Sequence, residues 1–149
     1  NSGTPIQVMS HINAYQLSNL KIECNVEIQN YAFGTSQLGL KFLEASGIDG
    51  FELRISSKNS GTTDGFVKLK IGSTDIAEHS VDASSGNFRL KLETQSSIVH
   101  YSVFDNVSQT YLIQEKFVPE TELTGNGSAC VVTKRLKCVF SDFEISGNP

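Results

Sequence analysis

From Leu38 to Ser146 the chain alternates apolar and polar residues with a period of two. Gly39-Leu40-Lys41-Phe42 is followed by Phe51-Glu52-Leu53-Arg54-Ile55, Val67-Lys68-Leu69-Lys70-Ile71, Phe88-Arg89-Leu90-Lys91-Leu92-Glu93 and a closing Val139-Phe140-Ser141-Asp142-Phe143-Glu144-Ile145. A pleated strand sends successive side chains to opposite faces, so this pattern predicts half-buried antiparallel strands. Upstream, a strand is expected from about Leu20 to Gln29. It places Leu20, Ile22, Cys24, Val26 and Ile28 on one face and Lys21, Glu23, Asn25 and Glu27 on the other. A looser strand covers Pro5 to Ser10, and Gln37 to Leu43, Ile76 to Val81, Ile98 to Phe104 and Thr110 to Phe117 complete the set.

Turn-forming residues punctuate these segments. Ala45 to Gly50, Gly72 to Asp75, Asp82 to Asn87 and Asp105 to Ser108 read as connections, and Ser56 to Gly65 and Pro119 to Ser128 as longer loops. The sum is about ten to twelve strands with no helix of any length, no repeat period and no low-complexity linker. The expected fold is all-β, an antiparallel sandwich of two stacked sheets.

A chain of 149 residues is long enough for one substantial core, and a single domain over 1–149 is expected. Hydrophobic residues at 38% and charged residues at 19% give a globular balance. The net charge of -4, with lysines scattered rather than clustered, argues against nucleic acid as a partner. No apolar run reaches the roughly 20 residues that cross a bilayer, so membrane insertion is not expected. The chain begins at Asn1 rather than methionine, which points to a processed chain or a domain of a longer protein.

Cys130 and Cys138 leave two readings open. A hairpin turning at Thr133 to Arg135 would set them opposite each other, at a separation of about 4.5 Å between Cα atoms that suits a cross-strand disulfide. The other reading is two buried thiols. Cys24 shares a face with Ile22 and Val26 and reads as core. Asn106-Val107-Ser108 and Asn126-Gly127-Ser128 fit the glycosylation pattern, and together with the cysteine pair they lean towards an exported, extracellular or cell-surface protein.

The order of the segments resembles the concanavalin A-like jelly-roll superfamily, and within it the non-catalytic carbohydrate-binding modules attached to glycosidases such as levanases. The leading strand of that family is matched by Asn19 to Val26, its Gly-Leu-x-Phe strand by Gly39 to Phe42, its Gly-aromatic-x-Leu-Arg strand by Gly50 to Arg54, and its Phe-x-Leu-x-Leu-Glu strand by Phe88 to Glu93. Its closing Phe-x-Asp-Phe is matched by Phe140 to Phe143. The resemblance implies a jelly roll and, as its commonest role, lectin-like recognition of a glycan or polysaccharide. Adhesion modules that bind a protein receptor share the framework. One departure is the absence of tryptophan, which leaves four tyrosines and nine phenylalanines as stacking platforms.

The resemblance also directs attention to particular residues. If Phe51 to Ile55 lies in the concave sheet, then Glu52 and Arg54, with Lys41 one strand away, project into the ligand groove; the plain alternative is a solvated face with cross-strand ion pairs. Tyr31 and Phe33, with Asn59 of the long polar loop, would rim that groove, unless an aromatic instead plugs the sandwich end. Jelly-roll modules often hold a structural calcium ion through backbone carbonyls and one aspartate, and Asp142 with Glu23 or Asn25 are the candidate ligands. His11, His79 and His100 have no companion carboxylate at transition-metal spacing. The Glu-x-Asp-x-x-Glu strand of the hydrolase branch is absent, as is a Gly-x-Ser-x-Gly elbow. The expected function is therefore non-catalytic carbohydrate binding. The alternatives are an adhesion or protein-interaction module of the same fold and a glycan-cleaving enzyme with an atypical site.

Overall fold

Two sheets build the molecule, each presenting the apolar side of its alternating strands to the other. The computed structural model describes residues 6–9, 15–16, 18–31, 36–44, 49–57, 64–95, 98–120, 125–134 and 136–147. Among these lie twelve strands and no helix: β1 (Ile6–Met9), β2 (Tyr15–Gln16), β3 (Asn19–Tyr31), β4 (Ser36–Glu44), β5 (Asp49–Ser57), β6 (Asp64–Ile71), β7 (Thr74–Asp82), β8 (Asn87–Gln95), β9 (Ile98–Asp105), β10 (Thr110–Phe117), β11 (Asn126–Lys134) and β12 (Leu136–Gly147). Sheet A runs β1-β11-β4-β5-β6-β7, with β2 also on β11, and sheet B runs β10-β9-β8-β3-β12. All described pairings are antiparallel.

The core lies between the sheets. Leu38, Leu40 and Phe42 of β4, Leu53 and Ile55 of β5, and Val67 and Leu69 of β6 are buried from one side. Leu20, Ile22, Cys24 and Val26 of β3, Phe88, Leu90 and Leu92 of β8, and Val99 and Val103 of β9 meet them from the other. Each such side chain contributes roughly 1.5 to 3 kcal/mol by leaving water. Thr94 is a buried polar residue in this layer: its hydroxyl accepts a hydrogen bond from the Leu20 amide at 3.0 Å and lies 3.3 Å from the Leu20 carbonyl oxygen, to which it donates.

Two turns show their chemistry directly. Gly72 takes a φ of +59° in the two-residue link from β6 to β7, a conformation that costs glycine little. In the β9–β10 connection, Asp105 Oδ1 accepts the amides of Val107 at 2.8 Å and Ser108 at 3.1 Å. Its carbonyl accepts the amide of Gln109 at 2.9 Å.

One expectation is corrected. The hairpin placing Cys130 opposite Cys138 does not form, because β11 inserts between β1 and β4 in sheet A while β12 crosses over to lie beside β3 in sheet B. Pairing β11 and β12 with each other would leave β4 and β3 with open edges, whose unmet amides and carbonyls this arrangement satisfies. Cys130 is buried in one sheet, Cys138 is half-buried in the other, and they are not bonded to each other. Burial pushes the Cys24 thiol up to about 12 and that of Cys138 up to about 11. Thiolate, the reactive form, is therefore scarce at neutral pH. The native chain is expected to resist thiol alkylation. Unfolded without reductant, it should take up label at all three cysteines, and a smaller count by mass would reveal a disulfide.

Candidate functional site

Strand register assembles a charged array on the side of sheet A that faces away from the core. With Leu53 and Ile55 turned inward, Glu52 and Arg54 of β5 turn outward. The pairings then generate three rows across the sheet. One runs Cys130, Lys41, Glu52, Lys70, Asp75; the next Val132, Gly39, Arg54, Lys68, Glu78; the third Lys134, Gln37, Ser56, Phe66, Ser80. Lys41, Glu52 and Arg54 thus meet on one face.

Their exposure differs from that of a solvated sheet surface. Glu52 is only 3% exposed, and Lys41, Ser56, Lys70, Cys130 and Val132 are buried as well, although all point away from the hydrophobic interior. Glu52 Oε2 accepts a hydrogen bond from Arg54 Nε at 2.5 Å. Gly39 lies beside this pair: a Cβ there would meet Glu52 Oε2 at an ordinary contact distance of 3.5 Å but stand 2.6 Å from the Leu53 carbonyl oxygen. The second contact is with backbone, so the glycine is required at this position by packing.

Farther along the rows, Asp75 bridges two cations. Its Oδ1 lies 2.5 Å from Lys70 Nζ and its Oδ2 3.1 Å from Lys68 Nζ, while Lys68 also reaches Glu78 at 3.5 Å. The hydrogen bonds from Lys70 and then Lys68 hold the Asp75 carboxyl below its ordinary 3.8, and Asp75 in turn raises Lys68. A depressed carboxyl contributes its stabilisation fully above the unfolded value and loses it as pH falls through the lower folded value. The Lys68–Asp75–Lys70 bridge is therefore expected to be unchanged from neutral pH down to about pH 4 and to open only below. The Asp75 carboxyl shift in a carbon-detected NMR titration would show this, and a midpoint above 3.8 would contradict it.

Sequence reasoning missed Lys68, Lys70, Asp75, Glu78 and Phe66. The alternation at Val67 to Ile71 already put both lysines on a polar face, but only the β5–β6 register shows that this face continues Glu52 and Arg54. Phe66, half-buried at the end of the array beside Ser56, is the aromatic group the structure adds. Of the proposed rim residues, Tyr31 is the last residue of β3 with its side chain outside the described set, and Phe33 and Asn59 lie outside the described residues.

The two candidate calcium ligands lie on the outward side of sheet B, each with a partner. Glu23 pairs with Arg89 at 3.0 Å, and Asp142, at a bulge in β12 with φ of +49°, accepts the Asn25 amide at 2.9 Å. Among the described residues no group of three or more His, Cys, Asp or Glu side chains is placed to hold an ion. Asn106 of the first glycosylation pattern donates its amide nitrogen to Asn87 Oδ1 at 2.9 Å and to Asn25 Oδ1 at 3.3 Å, so the nitrogen a glycan would occupy is engaged in the folded chain. His79 Nε2 lies 3.3 Å from the Tyr101 hydroxyl. His11 lies outside the described residues.

No family model matches the sequence, and no curated protein sequence matches it. Solved structures do resemble the fold. The CBM2 module of the Lactobacillus casei BL23 phage J-1 evolved Dit superposes with a TM-score of 0.69 at 8% identity, covering 95% of this chain and 66% of that one. Sheep galectin-11 in complex with glycerol gives 0.52 at 12% identity and covers 98% of each chain. The Bacillus licheniformis beta-glucanase gives 0.52 at 12% identity, covering 85% of this chain and 56% of that one. This chain thus spans 66% of the phage chain's length and 56% of the glucanase's. At such identities the likeness establishes the jelly-roll fold, a framework shared by a lectin and a glycan hydrolase and so silent on activity.

Proposed function

We propose that the chain is a non-catalytic carbohydrate-binding module, extracellular or at a cell surface, whose ligand lies on the outward face of sheet A over Glu52 and Arg54. The observation that carries this reading is the half-buried Arg54 held by the buried Glu52 on a face turned away from the core. A buried ion pair is weak evidence for stability, since apolar residues of similar size often serve as well. The half-buried Arg54 guanidinium, oriented from beneath by the buried Glu52 carboxylate, does, however, offer fixed donors to vicinal hydroxyls with little ordering cost on binding. Phe66 at one end of the array supplies an apolar surface for the C–H side of a sugar ring. The structural neighbours include a carbohydrate-binding module and a galectin, which fits the same reading.

A general acid for glycoside cleavage needs a raised carboxyl. Asp75, in the outward array, is shifted the other way. This supports binding without cleavage. A glycan array with competition by free sugar tests the reading: captured glycans displaced by the matching free sugar are expected. Release of reducing ends would assign hydrolysis instead, and binding to a protein surface unaffected by sugar would assign adhesion.

A further inference from the structure

The outward face of sheet B carries a recess built by its own strand register. Across β8, β9 and β10 the outward residues form three rows: Glu93, His100, Lys116; then Lys91, Ser102, Gln114; then Arg89, Phe104, Tyr111. Ser102 is the smallest side chain of the nine and sits at the centre, so the sheet surface dips there between His100 and Phe104. A cavity of about 270 Å³ occupies the dip, walled by Lys91, Glu93, His100, Tyr111 and Gln114. A second recess of about 290 Å³ adjoins it along β10 and shares His100, Gln114 and Glu115.

The lining states what would fit. Lys91 and Glu93 are 3.5 Å apart and offset each other's charge, while Glu115 lines both recesses and Lys116 only the second, so the first offers no net cationic grip to an anion. Ser102, Gln114 and His100 each offer both a donor and an acceptor, the complement of hydroxyls that do the same. Tyr111 is 53% exposed and held edge-on to Phe104 with ring centroids 5.0 Å apart, an oriented aromatic face open to solvent at the cavity wall. A volume near 270 Å³ falls just below the range of ligand pockets, which starts at roughly 300 Å³, and matches one ring rather than a long chain. We infer that this recess is a second ligand site, taking one neutral pyranose ring against Tyr111 with its hydroxyls on Ser102, Gln114 and His100, and that the adjoining recess accepts a second linked ring.

The inference rests on carbohydrate binding as the chain's function but is independent of where the sheet A ligand lies. The test is a titration of ¹⁵N-labelled protein with methyl glucoside, methyl galactoside and methyl mannoside, followed by amide chemical shifts. At least one is expected to move the amides of His100 to Ser102 and Tyr111 to Gln114. These shifts should vanish in Tyr111→Ala and in Ser102→Leu, which fills the dip, and persist in Arg54→Ala. Tyr111 and Ser102 are outside the core, so retained dispersion of the spectra will show the variants folded. The site is overturned if no pyranoside moves β8–β10 amides, or if the shifts survive in both variants. Shifts confined to β4–β6 would overturn it while supporting the sheet A reading, and shifts confined to β8–β10 would do the reverse.

Discussion

Phe88→Ala is expected to remove about 3 to 5 kcal/mol of folding stability, the range for truncating a fully buried aromatic side chain. Phe88 is 0% exposed on β8, between β3 and β9 in sheet B, and β8 packs across the interior on β4 and β5 of sheet A. Neighbours on both sheets lose contacts at once, and a two-layer core fixed by backbone ladders on each side has little freedom to close the void. For a chain of this size each kcal/mol lowers the melting temperature by roughly 2 to 4 °C, so a drop on the order of 10 °C is expected in a thermal melt. A change within a degree of the parent would mean that the two sheets do not meet at Phe88.

Arg54→Ala is expected to act on stability and binding together. Glu52, 3% exposed, loses the partner of its shortest hydrogen bond, while Lys70 beside it is already held by Asp75. Leaving a buried carboxylate short of a partner costs about 2 kcal/mol. A double variant Glu52→Gln with Arg54→Ala should recover part of that loss, because no buried carboxylate is then left without its guanidinium. Glycan affinity should fall about a hundredfold, the effect of about 2.7 kcal/mol of lost charge-assisted hydrogen bonding. Arg54→Lys should lie between, since it keeps the charge and loses the planar fork. Melting and isothermal titration on the same samples separate the two effects; unchanged affinity in Arg54→Ala would move the site elsewhere.

Much of this was legible in the alternation. Leu53 inward and Arg54 outward follow from a period of two, and the same parity places Lys41 and Lys68 once their strands are recognised. Cys24 was readable as core for the same reason, and it is 0% exposed. Parity does not give partnership. The local sequence around Cys130 and Cys138 supports a hairpin as readily as a crossover, and the choice depends on the unpaired edges of β4 and β3, strands a hundred residues upstream. Burial on the outward face was equally hidden, because it depends on the register of β4 to β7 with one another and with β11, which comes from far along the chain. The recess at Ser102 is visible only when β8, β9 and β10 are laid side by side, where one small residue among large ones becomes a cavity.

The most direct test follows the backbone amides of Glu52, Arg54 and Lys70 in ¹⁵N-labelled protein while the glycan identified on the array is added. The reading of the outward sheet A face predicts that these three move in proportion to occupancy in the parent chain and stop moving in folded Arg54→Ala. Saturation of the protein with glycan while all three amides stay in place would contradict it.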